Sequence, residues 1–207
     1  MIIKESMNKD VINVEPHTTV PDALKLMQEK DIRHVPVLDN EHLVGMVSLL
    51  DVVGAAHTQA TKVKDIMSED VITVEADTPL DEAAAVMQKN KIGGLPVIQD
   101  GELIGMITET DLFKAMLIMF GVTRGGIRLT LEMPFQGGAI VEAHQTFRNF
   151  GVEVISLTVL PGNEEQNVVK SVWRLQGCDD LDSLLDYLRE KGARVTHVSG
   201  HSECVEK

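Results

Sequence analysis

Apolar residues along this chain switch between helical and strand spacing, and the switching repeats. In the second repeat, Thr78-Pro79-Leu80-Asp81 reads as a helix start, with Thr78 as the N-cap, Pro79 as the first residue and Asp81 three after the cap. That helix is expected to run to about Asn90. Short apolar runs predict strands at 71–74, 95–98 and 103–107, the last two joined by the turn Gln99-Asp100-Gly101. A second helix is expected from about Thr110. The first repeat follows the same course, with Asp39-Asn40-Glu41-His42 at the turn, and residues 57–62 form a polar link. After Gly121-Val122-Thr123-Arg124-Gly125-Gly126 the order changes. Strand patterns at 127–132, 152–160, 168–176 and 194–198 enclose two amphipathic helices. One covers 138–150, with Ile140, Ala143, Phe147 and Phe150 on one face and Gly151 at its end. The other carries Leu181, Leu184, Leu185 and Leu188 and stops at Gly192. Of those strands, 152–160 is closed by Pro161-Gly162-Asn163, and 168–176 carries Trp173.

The first 120 residues are internally duplicated. Aligned without gaps, residues 7–51 and 67–111 share 17 identities in 45 positions, among them Met7/Met67, Met27-Gln28/Met87-Gln88, Ile32/Ile92 and Pro36-Val37/Pro96-Val97. A repeat of that length marks a supersecondary unit that buries its core with its neighbour. Each copy ends on one signature, Gly45-Met46-Val47-Ser48-Leu49-Leu50-Asp51 and Gly105-Met106-Ile107-Thr108-Glu109-Thr110-Asp111. A hydroxyl and a carboxylate three residues apart at a strand-to-helix corner suit a ribose and a phosphate. The carboxylate accepts from vicinal hydroxyls, and the helix N-terminus attracts anionic oxygens. The competing reading is ordinary helix capping.

On these motifs the chain resembles a tandem pair of CBS motifs, a Bateman module, with the first motif at 1–61 and the second at 62–120. The βαββαβ order after the 121–126 linker is a ferredoxin-like layout, and residues 127–207 look like an ACT domain. The whole chain resembles the acetoin-utilisation B-type proteins, in which an ACT domain follows a CBS pair. The implied fold is α/β (α+β) throughout. The resemblance implies a non-catalytic regulator that binds an adenosine-containing ligand: AMP first, then ADP, ATP or S-adenosylmethionine. Asp111 and Asp51 then hold the ribose, with Thr108 and Ser48 toward the phosphate. Adenine rests against Val97 and Ile98, or Val37 and Leu38, while backbone near Thr73 or Asn13 reads its edge. Arg33-His34 can point toward a phosphate. The second copy has Gly93-Gly94 there, so the two clefts are not equivalent, and the glycines can relieve crowding. In ACT ligand loops an acid and Pro-Gly often follow the first strand. Here Glu132-Met133-Pro134 is followed by Phe135-Gln136-Gly137-Gly138, with the glycines late. That leaves either a second small-molecule site or a fold without one.

Composition narrows the partners. Net charge is −13, divided as −10 in residues 1–120 and −3 beyond. This argues against nucleic acid and anionic membrane, and against metal-free polyphosphate. The segment Leu112-Phe113-Lys114-Ala115-Met116-Leu117-Ile118-Met119-Phe120 is apolar on nearly every side. It is expected either under the other domain or in a homodimer contact, as CBS helices commonly make. A target enzyme is a further expected partner. Two cysteines and no apolar run of about 20 residues fit a cytoplasmic protein. His197, His201 and Cys204 have a permissible metal spacing but no fourth ligand, so no metal site is assigned, and no cofactor is required. No catalytic constellation emerges. The alternative is an assembly module that controls a metabolic enzyme without a physiological nucleotide.

Overall fold

The computed structural model describes residues 1–55, 61–134, 137–160 and 168–200. The chain divides into two compact units, Met1–Phe113 and Lys114–Lys207.

In the first unit, helix α1 (Val20–Lys30) is followed by strands β1 (His34–Asp39) and β2 (His42–Ser48) and helix α2 (Leu49–Ala55). The second copy gives β3 (Val74–Glu75), α3 (Leu80–Asn90), β4 (Gly94–Gln99), β5 (Glu102–Thr108) and α4 (Glu109–Met119). The hairpins β1–β2 and β4–β5 are antiparallel and share a register irregularity, at Val37/Leu38 and at Val97/Ile98. Both turn through two left-handed residues, Asn40-Glu41 and Asp100-Gly101, as tight two-residue hairpins require.

Two local expectations are corrected. The strand expected at 71–74 shrinks to Val74–Glu75, parallel to Val97 and Ile98. The N-cap of α3 is Pro79, not Thr78, and the helix begins at Leu80. Pro79 occupies the place that Thr19 holds before α1. There Thr19 Oγ1 accepts from the Asp22 N–H at 3.2 Å and donates to Asp22 Oδ2 at 2.6 Å. Proline has no acceptor to offer, so α3 starts without a side-chain cap.

The leading segments of the copies are exchanged. Ile3 and Lys4 donate to the carbonyls of Thr78 and Ala76, while Val63 and Lys64 donate to those of Thr18 and Pro16. Val63 thereby enters the first copy's core with Val20, Ala23, Met27, Val35 and Val37. The signature glycines follow from this exchange. A Cβ on Gly45 would lie 2.6 Å from Met67 Sδ, and one on Gly105 2.6 Å from Met7 Sδ. Each glycine makes room for a methionine of the other copy.

The second unit comprises β6 (Ile127–Pro134), α5 (Ala139–Asn149), β7 (Glu153–Leu160), β8 (Val168–Gln176), α6 (Leu181–Glu190) and β9 (Arg194–Ser199). The sheet order is β7-β8-β6-β9, all antiparallel. The βαββαβ order expected from the pattern is present. Leu129, Leu131, Trp173, Leu175, Phe147 and Leu184 form its core, all at 0% exposure. Trp173 satisfies its indole N–H on Ser171 Oγ at 2.8 Å. Residues 57–60, 135–136, 161–163, His201 and Cys204 fall outside the described residues. Among the described residues no helix is long and apolar enough to cross a membrane.

Candidate functional site

Both hydroxyl–carboxylate pairs sit where a strand hands over to a helix. In the first copy, Asp51 Oδ2 accepts from the Ser48 N–H at 2.8 Å and from Ser48 Oγ at 2.6 Å. Ser48 Oγ accepts in turn from the Asp51 N–H at 3.3 Å. The second copy repeats this with Thr108 and Asp111 at 3.1, 2.6 and 3.4 Å. The capping role is therefore present in both copies.

The first pair stands beside open space. A cavity of about 700 Å³ opens at the first pair, and its wall includes Arg33, His34, Ser48 and Asp51. The second copy supplies the opposite wall with Asp70, Ile72, Lys91, Gly93, Gly94 and Glu109. The cleft is thus built across the duplication. Asp51 faces the chain leading into the other copy's β3, not its own. The other expected residues do not line this cavity. Asp111 and Thr108 are half-buried at the start of α4. Val37 and Val97 are at 0% exposure inside the cores. Leu38 and Ile98 are half-buried strand residues, and Asn13 and Thr73 are exposed on the lead-in segments.

Gly93 has a defined purpose, whereas a Cβ on Gly94 would meet His34 at 3.5–3.6 Å, an ordinary contact. A Cβ on Gly93 would lie 2.8 Å from His34 Cε1, 3.3 Å from His34 Nε2 and 3.4 Å from Glu109 Oε2. The crowding that Gly93 relieves comes from the imidazole of the first copy. Burial holds the His34 pKa below its usual value, with Arg33 adding to the effect, while Glu109 and Asp51 pull the other way. A neutral imidazole is thereby favoured beside two carboxylates.

The cleft combines an exposed carboxylate suited to vicinal hydroxyls, cationic Arg33 and Lys91, and the apolar surface of Ile72, Met46 and Val53. Sequence reasoning missed Asp70, Ile72, Lys91 and Glu109. The signal available for Glu109 was its place beside Thr108, in the copy whose Gly93-Gly94 leaves space for a neighbour. Among the described residues, no three His, Cys, Asp or Glu side chains are grouped to hold a metal ion.

The CBS domain family model matches residues 3–58 and 63–118, together more than half of the chain. A putative acetoin utilization protein (AcuB) from Vibrio cholerae is 32% identical with a TM-score of 0.55, covering 60% of this chain and 96% of that one. CBSX2 in complex with AMP is 32% identical with a TM-score of 0.52, over 56% of this chain and 96% of that one. The CBS domain pair of protein MJ0100, in complex with 5′-methylthioadenosine and S-adenosyl-L-methionine, is 28% identical with a TM-score of 0.54, over 56% and 95%. The chain spans about a third or less of the length of the first curated relatives it matches, at 36%, 22% and 22%.

Proposed function

The chain belongs to the CBS domain family, and on that premise we propose that it is a non-catalytic regulatory sensor whose cross-repeat cleft binds an adenosine-containing ligand, AMP in first place. The observation that carries this reading is the cavity of about 700 Å³ in which Asp51 meets Arg33 and His34. Asp51 accepts from the ribose hydroxyls, Arg33 and Lys91 face the phosphate, and Ile72 packs against the base. Support comes from the solved relatives that hold AMP or S-adenosylmethionine with methylthioadenosine. Thr108 and Asp111 form a second, weaker site, with Val97, Ile98 and Thr73, or Val37, Leu38 and Asn13, around it.

The remaining assignments belong to the same proposal. Residues 1–61 and 62–120 are the two motifs, 121–126 the linker, and 127–207 a ferredoxin-like domain of ACT type. A second small-molecule site in that domain has support in a cavity of about 370 Å³ lined by Pro134, Glu142, Thr146, Tyr187 and Lys191. The protein pairs into a homodimer through α2 and α4, whose Leu50, Val53, Phe113 and Met116 are exposed at 83%, 51%, 68% and 45%. It acts in the cytoplasm on a target enzyme.

Calorimetric titration with AMP, ADP, ATP, NAD and S-adenosylmethionine tests the sensor reading. A saturable response to at least one of them, with AMP ahead of metal-free ATP, is expected from the −10 charge of residues 1–120. No response to any of the five would favour the second reading, an assembly module whose exposed α2 and α4 residues meet a protein partner.

A further inference from the structure

Strand alternation in the second unit sends Leu129, Leu131, Trp173 and Leu175 into the core and their neighbours to the other face of the sheet. On that face Arg128 and Arg174 are direct cross-strand partners. Like charges set opposite each other cost stability. Among the described residues neither guanidinium has a carboxylate partner, whereas Arg124, Arg189 and Arg194 each have one. This pairing stands in a chain of net charge −13.

The two arginines line a cavity of about 260 Å³ with Ser156, Thr158 and the apolar Val122, Leu160 and Val172. Among the described residues no carboxylate lines it. The frame is fixed by hydrogen bonds. Arg174 donates from Nε to the Phe120 carbonyl at 3.2 Å and from Nη1 to that of Gly125 at 3.3 Å. Arg128 donates from Nη1 to Thr130 Oγ1 at 3.0 Å. A guanidinium has five N–H donors, so both arginines keep donors beyond these bonds. An irregularity in β7, between Val154 and Ser156, sets Ser156 opposite Arg174.

We infer that this cavity is a binding site for a small organic carboxylate with a short apolar body. Planar guanidinium forks match a carboxylate in two parallel hydrogen bonds. Bound there, the anion removes the repulsion between the arginines. The apolar walls suit a short hydrocarbon, which inorganic phosphate lacks. The site is independent of the adenosine cleft, so its failure would leave that reading untouched.

The full-length protein is titrated with butyrate and, separately, with inorganic phosphate at constant ionic strength, followed by amide NMR shifts and thermal melting. Butyrate should saturate and raise the melting temperature, and phosphate should bind at least tenfold more weakly. R128Q gives up only the Thr130 bond. It should lose at least tenfold in butyrate affinity, yet melt without ligand at or above the wild-type temperature because the repulsion is gone. R194Q, whose partner is Glu132, should bind butyrate like wild type. The proposal is overturned by any of four results: no saturable butyrate response, equal butyrate binding by R128Q, phosphate binding as tightly as butyrate, or a response that varies with protein concentration, which would mark a contact between copies.

Discussion

The two copies of the duplicated motif share a scaffold and differ in their clefts. Both use the same reciprocal hydroxyl–carboxylate cap, with the short hydroxyl bond at 2.6 Å in each. Both bury a methionine at equivalent depth, Met27 at 1% and Met87 at 3% exposure. Both spend a glycine on a methionine from the other copy. One difference that lines the cleft is the dipeptide Arg33-His34 against Gly93-Gly94. The His34 ring occupies the space that Gly93 leaves open, beside the cavity at Asp51. Scaffold positions are held by packing, which tolerates little change, while the differing dipeptides line the cleft, with Arg33 exposed, His34 and Gly93 half-buried and Gly94 buried.

The comparison breaks first at its shared half. Met27→Ala and Met87→Ala should each cost about 2–5 kcal/mol in denaturant melts, because each leaves a cavity in an aliphatic core. Values differing by more than about 2 kcal/mol would show that the copies are unequal scaffolds as well as unequal sites. Gly93→Ala attacks the unequal half. Its Cβ would push the His34 ring from 2.8 Å, so stability should fall by about 1 kcal/mol and adenosine-ligand affinity should fall severalfold. Gly93→Ala binding like wild type would detach His34 from the site.

The smallest effect concerns pH. His34 has its folded pKa lowered by burial and by Arg33, so the unfolded chain takes up this proton first. Its contribution to stability is complete above the ordinary value of 6.5 and is lost as pH falls through that value toward the lower folded one. His34→Gln should flatten this part of the stability profile. An unchanged slope would mean that the imidazole is solvated as in the unfolded chain.

The order of elements was legible because each unit buries one face, which leaves 3.6- and 2-residue periods in the sequence. Trp173 and Phe147, in the expected core elements, meet at 4.9 Å. The exchange of leading segments was not legible. Met7 and Met67 hold equivalent places in the two copies, so nothing local decides whether Gly45 receives its own copy's methionine or the other's. That choice is tertiary, and the composition of the cleft depends on it. Asp70 and Ile72 therefore reach Asp51 from the other copy. The missing cap at Pro79 was misread for a smaller reason. Thr78 and Pro79 together mimic a cap and first turn, and only the alignment of Pro79 with Thr19 places the cap one residue later.

The central claim is that the cleft at Asp51 is the adenosine site of this chain. Calorimetric titration of AMP into wild type, Asp51→Ala and Asp111→Ala tests it most directly. The account predicts that Asp51→Ala weakens binding about ten- to hundredfold, the loss of charge-assisted bonds worth about 1.5–3 kcal/mol, and that Asp111→Ala has a smaller effect. Asp51→Ala binding AMP with wild-type affinity would contradict it.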